Sequence, residues 1–401
     1  MIPKGRPQVP DRNAPRIAPA ALVCSLLLFQ SAVASAQAPN PVISRNVPAF
    51  ASSNSSEARL ANDGSWDTEW RSNGQPAWIA YDLSSVPTAQ RQQILVAWHN
   101  NAGGYYDFSV IAAPCYNVPG PYVIEGNAAA GGGSSAPASG WVTLVTSPSP
   151  QNYHNNQHQI SGFGPYNWIR FRTTSGNPNN DSGNSDVGIN LDIHDVSLGA
   201  QDSWMFYGDS ITANVWGPGT FTTLINAVRP QSYPAASNGG IPFMTASDVI
   251  PLFQRWLPLF PGKYAGISYG TNDAGGVAPA QFYLNLKNLA DQVLARGKVP
   301  IIPSIPWATA GQRNDADIRA LNAQIAQLKT DYGGRILDGP DLYTAFLNRP
   351  DLLQDGLHPN AAGSIIMRQA WATKMLTVVY NGTPPPPPAP PAAPSSLRII
   401  P

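Results

Sequence analysis

The sequence predicts two folds in series, an all-β sandwich and then a three-layer α/β domain built on a parallel sheet. Three observations carry this. Up to about residue 200, short β-rich segments alternate with clusters of Gly, Asn, Pro and Ser, and helical periodicity is nearly absent. After Asp202, strand-like apolar runs alternate with amphipathic helical ones. The length of 401 residues also exceeds what one ordinary domain needs.

The first segment reads as a targeting signal. Lys4, Arg6, Arg12 and Arg16 form a basic region, and Ala20 to Phe29 is an apolar core interrupted only by Ser25. Ala34-Ser35-Ala36 supplies a small-x-small cleavage pattern, so residues 1–36 are expected to be a signal peptide. The mature chain would then be secreted or periplasmic. The apolar core falls short of the roughly 20 residues that span a bilayer, so no membrane span is expected. Cys24 lies in that core and leaves Cys115 alone in the mature chain, which excludes an intramolecular disulfide and a thiolate metal site there.

Residues 37–201 supply the sandwich. Its strands are expected at Ala77–Leu83, Gln93–Trp98, Tyr122–Gly126, Trp141–Val145, Trp168–Arg172 and Ile189–Ile193, the last alternating apolar and polar residues. His154 and His158 fall in an Asn/Gln-rich stretch that reads as a loop. Residues 202–381 supply the α/β domain. Trp204–Tyr207, Tyr264–Tyr269 and Val299–Ile305 read as strands. Phe221–Val228, Ala246–Trp256, Ala280–Arg296, Asp315–Leu328 and Ile366–Val379 read as helices, with Pro251 starting or kinking the second. Residues 382–401 form a proline-rich linker and a terminal fragment, and five consecutive prolines from Pro384 predict a stiff extended spacer.

Charge narrows the function classes. Lys+Arg and Asp+Glu are balanced at 24 each, so no footprint for nucleic acid or an anionic membrane exists. Charged residues make up 12% of the chain, about half the usual share of roughly 25%. Such a surface suits an extracellular protein that handles neutral, hydroxyl-rich ligands.

The chemistry-bearing residues fall in a telling order. Gly208-Asp209-Ser210 closes the first strand of the α/β domain, Gly270-Thr271-Asn272-Asp273 follows the next, and Asp355-Gly356-Leu357-His358 precedes the last helix. Of the five histidines, His358 is the only one after residue 200, so if a histidine of this domain activates Ser210, His358 is the sole candidate. Gly-Asp-Ser alone recurs by chance in about one chain in ten of this length. Placement is what adds weight, because both loops lie at the carboxyl edge of a parallel sheet, where open α/β folds bind ligands.

These blocks resemble the SGNH (GDSL) hydrolase superfamily over about residues 203 to 380, in the family order. The resemblance implies Ser210 as nucleophile, His358 as general base and acid, and Asp355 as its orienting carboxylate. It also implies an oxyanion hole formed by the Ser210 N–H and the Asn272 side chain, with no metal and no organic cofactor. One block departs from the pattern. Where the family has Gly-Ile-x-Gly-x-Thr, this chain has Gly240-Ile241-Pro242-Phe243-Met244-Thr245. Phe243 replaces a glycine whose N–H completes the hole, leaving Phe243 or Gly240 as the third donor. Trp216 and Trp307 either line a sugar or acyl pocket or simply pack.

Residues 57–83, with Asn62-Asp63-Gly64-Ser65-Trp66 and Trp78-Ile79-Ala80-Tyr81-Asp82-Leu83, resemble a discoidin-type, galactose-binding-like jelly roll. Trp66 and Trp70 read as core rather than sugar platforms. Asp63 either contributes to a calcium site, as in some relatives, or caps a turn. Pro391–Pro401 resembles the opening of a fibronectin type III module. Taken together, the resemblances imply a secreted serine esterase whose partner is a polysaccharide bearing O-acetyl groups. Two alternatives stand beside it: a lipid or aryl esterase, or a glycan-binding protein with an inactive hydrolase domain. Nothing in the sequence fixes the oligomeric state.

Overall fold

The computed structural model describes residues 41–66, 68–100, 106–110, 117–147, 152–177, 186–215 and 218–380. The expected signal peptide, Cys24, Cys115, Trp216 and the proline-rich terminus lie outside the described residues.

Two antiparallel sheets form the N-terminal half. β1 (Ala49–Ala51), β3 (Trp78–Asp82), β5 (Tyr122–Asn127), β6 (Val142–Thr146) and β8 (Trp168–Thr173) make one, in the order β1-β3-β8-β5-β6. β2 (Trp70–Arg71), β4 (Gln93–His99), β7 (Asn155–Ser161) and β9 (Gly188–Asp195) make the other, in the order β2-β9-β4-β7. Their inward side chains interdigitate around Trp70, Ile79, Tyr81, Trp98, Tyr122, Phe171 and Leu191. Trp66 and Trp70 are both buried, and Trp66 stacks on His99 with ring centroids 3.7 Å apart. The Asp63 carboxylate accepts from the Ser65 N–H at 2.8 Å and from the Thr68 hydroxyl, which is a turn cap. No group of three His, Cys, Asp or Glu suited to a metal occurs among the described residues.

The stretch around His154 and His158 departs from expectation. Residues 155–161 are not a loop but strand β7, paired antiparallel with β4 from Asn155↔His99 to Ser161↔Gln93. Its polar sequence hides a strand because Gln157 finds polar partners beyond its own sheet. Gln157 Nε2 donates to the Ala235 and Trp204 carbonyls and to Ser237 Oγ, all in the C-terminal half.

That half is a parallel five-stranded sheet with helices on its faces. In chain order it runs β10 (Ser203–Gly208), α1 (Ser210–Val215), α2 (Pro218–Val228), β11 (Ala235–Gly240), α3 (Ile250–Trp256), β12 (Tyr264–Ser268), α4 (Pro279–Ala295), β13 (Val299–Ile302), α5 (Asp315–Asp331), β14 (Leu337–Asp338), α6 (Leu342–Phe346) and α7 (Ala361–Val378). The strand order is β11-β10-β12-β13-β14, all neighbours parallel. One apolar layer, with Phe253, Leu286, Leu289, Val293, Leu321 and Ile325, covers one face of the sheet. The other layer, with Phe206, Phe221, Trp371, Met375 and Leu376, covers the opposite face. α3 starts at Ile250 rather than Ala246, because Pro251 fits a helix only in the first turn. β11 (Ala-Ala-Ser-Asn-Gly-Gly) has little strand propensity of its own and is held by its ladder with β10.

The two halves share one interface. Tyr106 and Tyr153 from the sandwich enter the α/β core against Tyr207 and Trp256. Fully buried Asp107 accepts from Trp256 Nε1 at 2.8 Å and pairs with Arg255. The Tyr106 N–H donates to the Gly240 carbonyl at 3.2 Å, and Asn155 Nδ2 donates to the Asn238 carbonyl at 2.7 Å.

Candidate active site

Three sheet-edge loops converge. The first leaves β10 at Gly208 and turns straight into α1, so Ser210 opens that helix, where backbone N–H groups have no intrahelical acceptor. Asp209 locks the turn: its Oδ1 accepts from the Ile211 N–H at 2.9 Å and its carbonyl from the Ala213 N–H at 3.0 Å. The Asp209 carboxyl is buried, which raises its pKa to about 7.

The second loop carries Asp355 and His358. Leu353 bridges Pro359, and the Gln354 N–H donates to the His358 carbonyl at 2.9 Å, which closes a tight loop just before α7. Gly356 has φ +83°, and a Cβ there would lie 2.3 Å from Thr309 Oγ1, so only glycine fits. Asn360 caps α7 by accepting from the Gly363 N–H and donates to the Asp351 carbonyl.

Within this loop Asp355 Oδ2 lies 2.7 Å from His358 Nδ1, and Oδ1 accepts from the His358 and Leu357 N–H groups at 2.7 and 3.0 Å. The backbone bond from His358 is the main reason the carboxyl is held down at about 2. An ionised Asp355 accepts from Nδ1–H, which leaves the Nε2 lone pair facing outward. Ser210 Oγ sits 2.9 Å from that Nε2. The structure therefore brings Ser210, His358 and Asp355, read from sequence as a set, into one hydrogen-bonded chain.

The third loop follows β12 and carries Asn272. Its Nδ2 donates one hydrogen to the Met244 carbonyl at 3.2 Å, and its Oδ1 accepts from Arg313 Nη2 at 3.1 Å. Arginine only donates, so this contact fixes the amide orientation and keeps the second N–H of Nδ2 for another acceptor. Neighbouring Asp273, fully buried, accepts from the Ala246 N–H. Asn272 and Asp273 thus grip the segment 244–246 from two sides.

The two candidates for the third donor separate. The Gly240 N–H already donates to Asn238 Oδ1 at 2.9 Å. A Cβ at Gly240 would meet Ala213 N at 2.2 Å, so its glycine serves close packing. Phe243 has φ +67°, the left-handed conformation that glycine adopts readily and phenylalanine rarely. Among the described residues nothing accepts from its N–H. Phe243 thus keeps the backbone shape of the glycine it replaces and has its N–H to offer.

Trp307 is half-buried against the layer that holds Trp371. Arg313 was missed by the sequence reading, since a lone loop arginine reads as a solvated charge. The turn it closes braces the whole edge. The Thr309 N–H donates to the Gly356 carbonyl at 2.8 Å, Gln312 Nε2 to the Asp355 carbonyl at 2.9 Å, and Arg313 Nε to the Thr271 carbonyl at 2.6 Å. Its position after β13, the next strand of the same sheet, was the available signal.

Residues 206–364 match the model of the GDSL-like lipase/acylhydrolase family. Among solved structures, the chain is similar to a lipase/acylhydrolase from Enterococcus faecalis, with 20% identity, a TM-score of 0.38, and 46% of this chain and 98% of that one covered. It is also similar to an acetylxylan esterase from Geobacillus stearothermophilus, with 21% identity, a TM-score of 0.38, and 44% and 95% covered. A third is a psychrotrophic esterase from Pseudoalteromonas sp., with 17% identity, a TM-score of 0.38, and 44% and 98% covered. No curated protein matches the chain. No helix among the described residues is long and apolar enough to cross a membrane.

Proposed function

We propose that the chain, whose residues 206–364 match the GDSL-like lipase/acylhydrolase family model, is a secreted serine esterase acting on O-acetyl groups of a polysaccharide. The observation that carries the reading is the unbroken relay from Asp355 Oδ2 through both His358 nitrogens to Ser210 Oγ.

In the proposed reaction, His358 Nε2 takes the Ser210 proton as Oγ attacks the ester carbonyl, which turns a weak nucleophile into a competent one. Asp355 holds the Nδ1–H tautomer and stabilises the imidazolium without taking its proton. The oxyanion of the tetrahedral intermediate is met by the Ser210 and Phe243 N–H groups and the second Nδ2–H of Asn272. His358 then protonates the departing alcohol oxygen. Water, activated by the same imidazole, releases the acid from the acyl-enzyme. Every step uses groups of the chain itself.

Asn272→Ala is expected to lower kcat about 10²–10³-fold, the usual cost of losing one oxyanion donor. Arg313 only positions that donor, so Arg313→Met should cost less, about tenfold in kcat. Double-mutant kinetics check the link. If Arg313 acts through the amide, Arg313→Met adds almost nothing in the Asn272→Ala background.

The polysaccharide substrate draws support from the adjoining β-sandwich and from the sparsely charged chain. Initial rates on p-nitrophenyl acetate, butyrate and octanoate, with acetate release from acetylated xylan, test it. Acetate preference with release from the polymer is the expected result. Octanoate preference would move the assignment to a lipid esterase. No turnover beyond that of Ser210→Ala would leave a glycan-binding protein with an idle hydrolase fold.

A further inference from the structure

We infer that the side chain of Phe243 is a platform for the alcohol part of the substrate, stacking on the apolar face of the sugar ring that carries the ester. The inference rests on the esterase reading above, and it starts from a misfit. Five non-glycine residues have positive φ among the described residues, and four are asparagines: Asn46, Asn54, Asn117 and Asn348. Asparagine visits this region at low cost, whereas a bulky residue there is strained. Phe243 is the exception. The residue is 79% exposed, the most of any large hydrophobic among the described residues, so packing offsets little of that strain. A glycine would serve the backbone better.

Position gives the ring a use. β11 runs in register with β10, Gly240 opposite Gly208, and the Ile241 N–H donates to the Gly208 carbonyl at 2.9 Å. On the other side, the Met244 carbonyl accepts from Asn272. The turn bearing Phe243 is therefore pinned between the loop of the nucleophile and the loop of the oxyanion amide. An aromatic side chain carried there starts from a backbone anchored to both of those loops.

Exposure separates the two halves of an ester. A side chain lining an acyl pocket would be enclosed, whereas a largely solvent-facing ring offers a shallow, open surface. Such a surface suits a unit of a polymer lying across the site. The ring buries C–H surface of the sugar, and the hydroxyls stay in water.

The test is a ratio of specificities, in which any effect of the substitution on turnover in general cancels. Wild type, Phe243→Gly, Phe243→Ala and Phe243→Trp are assayed on peracetylated methyl xyloside and on methyl acetate, which has no ring. The ratio of kcat/KM for the sugar ester to that for methyl acetate is expected to fall five- to tenfold in Phe243→Gly and Phe243→Ala. Phe243→Trp should hold it. An unchanged ratio in the glycine and alanine variants overturns the platform. So does a selective loss on p-nitrophenyl octanoate against the acetate, which would place the ring on the acyl side. Wild type that hydrolyses neither acetate ester nor the octanoate ester beyond the rate of Ser210→Ala overturns the esterase reading instead, a result distinct from either.

Discussion

Ser210→Ala is expected to lower kcat/KM for p-nitrophenyl acetate by about 10⁶-fold, His358→Ala by about as much, and the double variant by no more than either. The reason lies in the single contact between them. Ser210 Oγ has one base, His358 Nε2 at 2.9 Å, and the base has one proton to collect. Once either partner is gone the relay carries nothing, so removing the other costs nothing further. What remains is the oxyanion site, worth about 10³–10⁴ over water. Two losses that multiplied would show that the two residues act in separate steps. Steady-state rates on the three variants decide it, with circular dichroism to verify folding.

Asp355→Asn is expected to lower kcat about 10⁴-fold while the protein stays folded. An asparagine Oδ1 still accepts the Leu357 and His358 N–H groups, so the loop keeps its shape. Its amide, however, donates toward Nδ1, which must then accept. The ring proton is forced onto Nε2, the atom that has to accept from Ser210. The pH sign follows from the low carboxyl pKa. A carboxyl held at about 2, below its unfolded value near 4, contributes stability that is present above pH 4 and fades as pH falls through 2. Asp355 thus stays ionised across any ordinary assay range, and the acid limb of the rate profile belongs to another group. A wild-type loss of Tm between pH 4 and 2 that Asp355→Asn lacks would check the assignment.

The strands rich in β-branched and aromatic residues were legible because side-chain shape and burial agree there. β7 and β11 were not. Asn155–Ser161 and Ala235–Gly240 are strands only by virtue of what they meet, the first across the interface through Gln157, the second along β10. The residues of the candidate site were readable because strand–loop order alone delivers Ser210 and Asn272 to one sheet edge and the loop of His358 beside it. The choice between Phe243 and Gly240 was not. It turns on whether a backbone N–H is already engaged, and Asn238, which accepts from the Gly240 N–H, acts from outside the motif. Arg313 escaped for a related reason, since its role consists of two backbone carbonyl partners and one side-chain amide that no spacing announces.

The Tyr106 bond to Gly240 has a consequence for engineering. A binding module on a tether can be traded for another without the enzyme noticing. Here the sandwich supplies the acceptor for Trp256 Nε1, the counter-ion of Arg255 and the cap on the carbonyl where the Phe243 segment leaves the sheet. Cutting the gene near residue 202 therefore separates two folds but strands a buried indole, an arginine and a tyrosine face on the side that keeps the nucleophile. Shuffled onto a different neighbour, the hydrolase half would carry those stranded groups with it unless the new partner covered them.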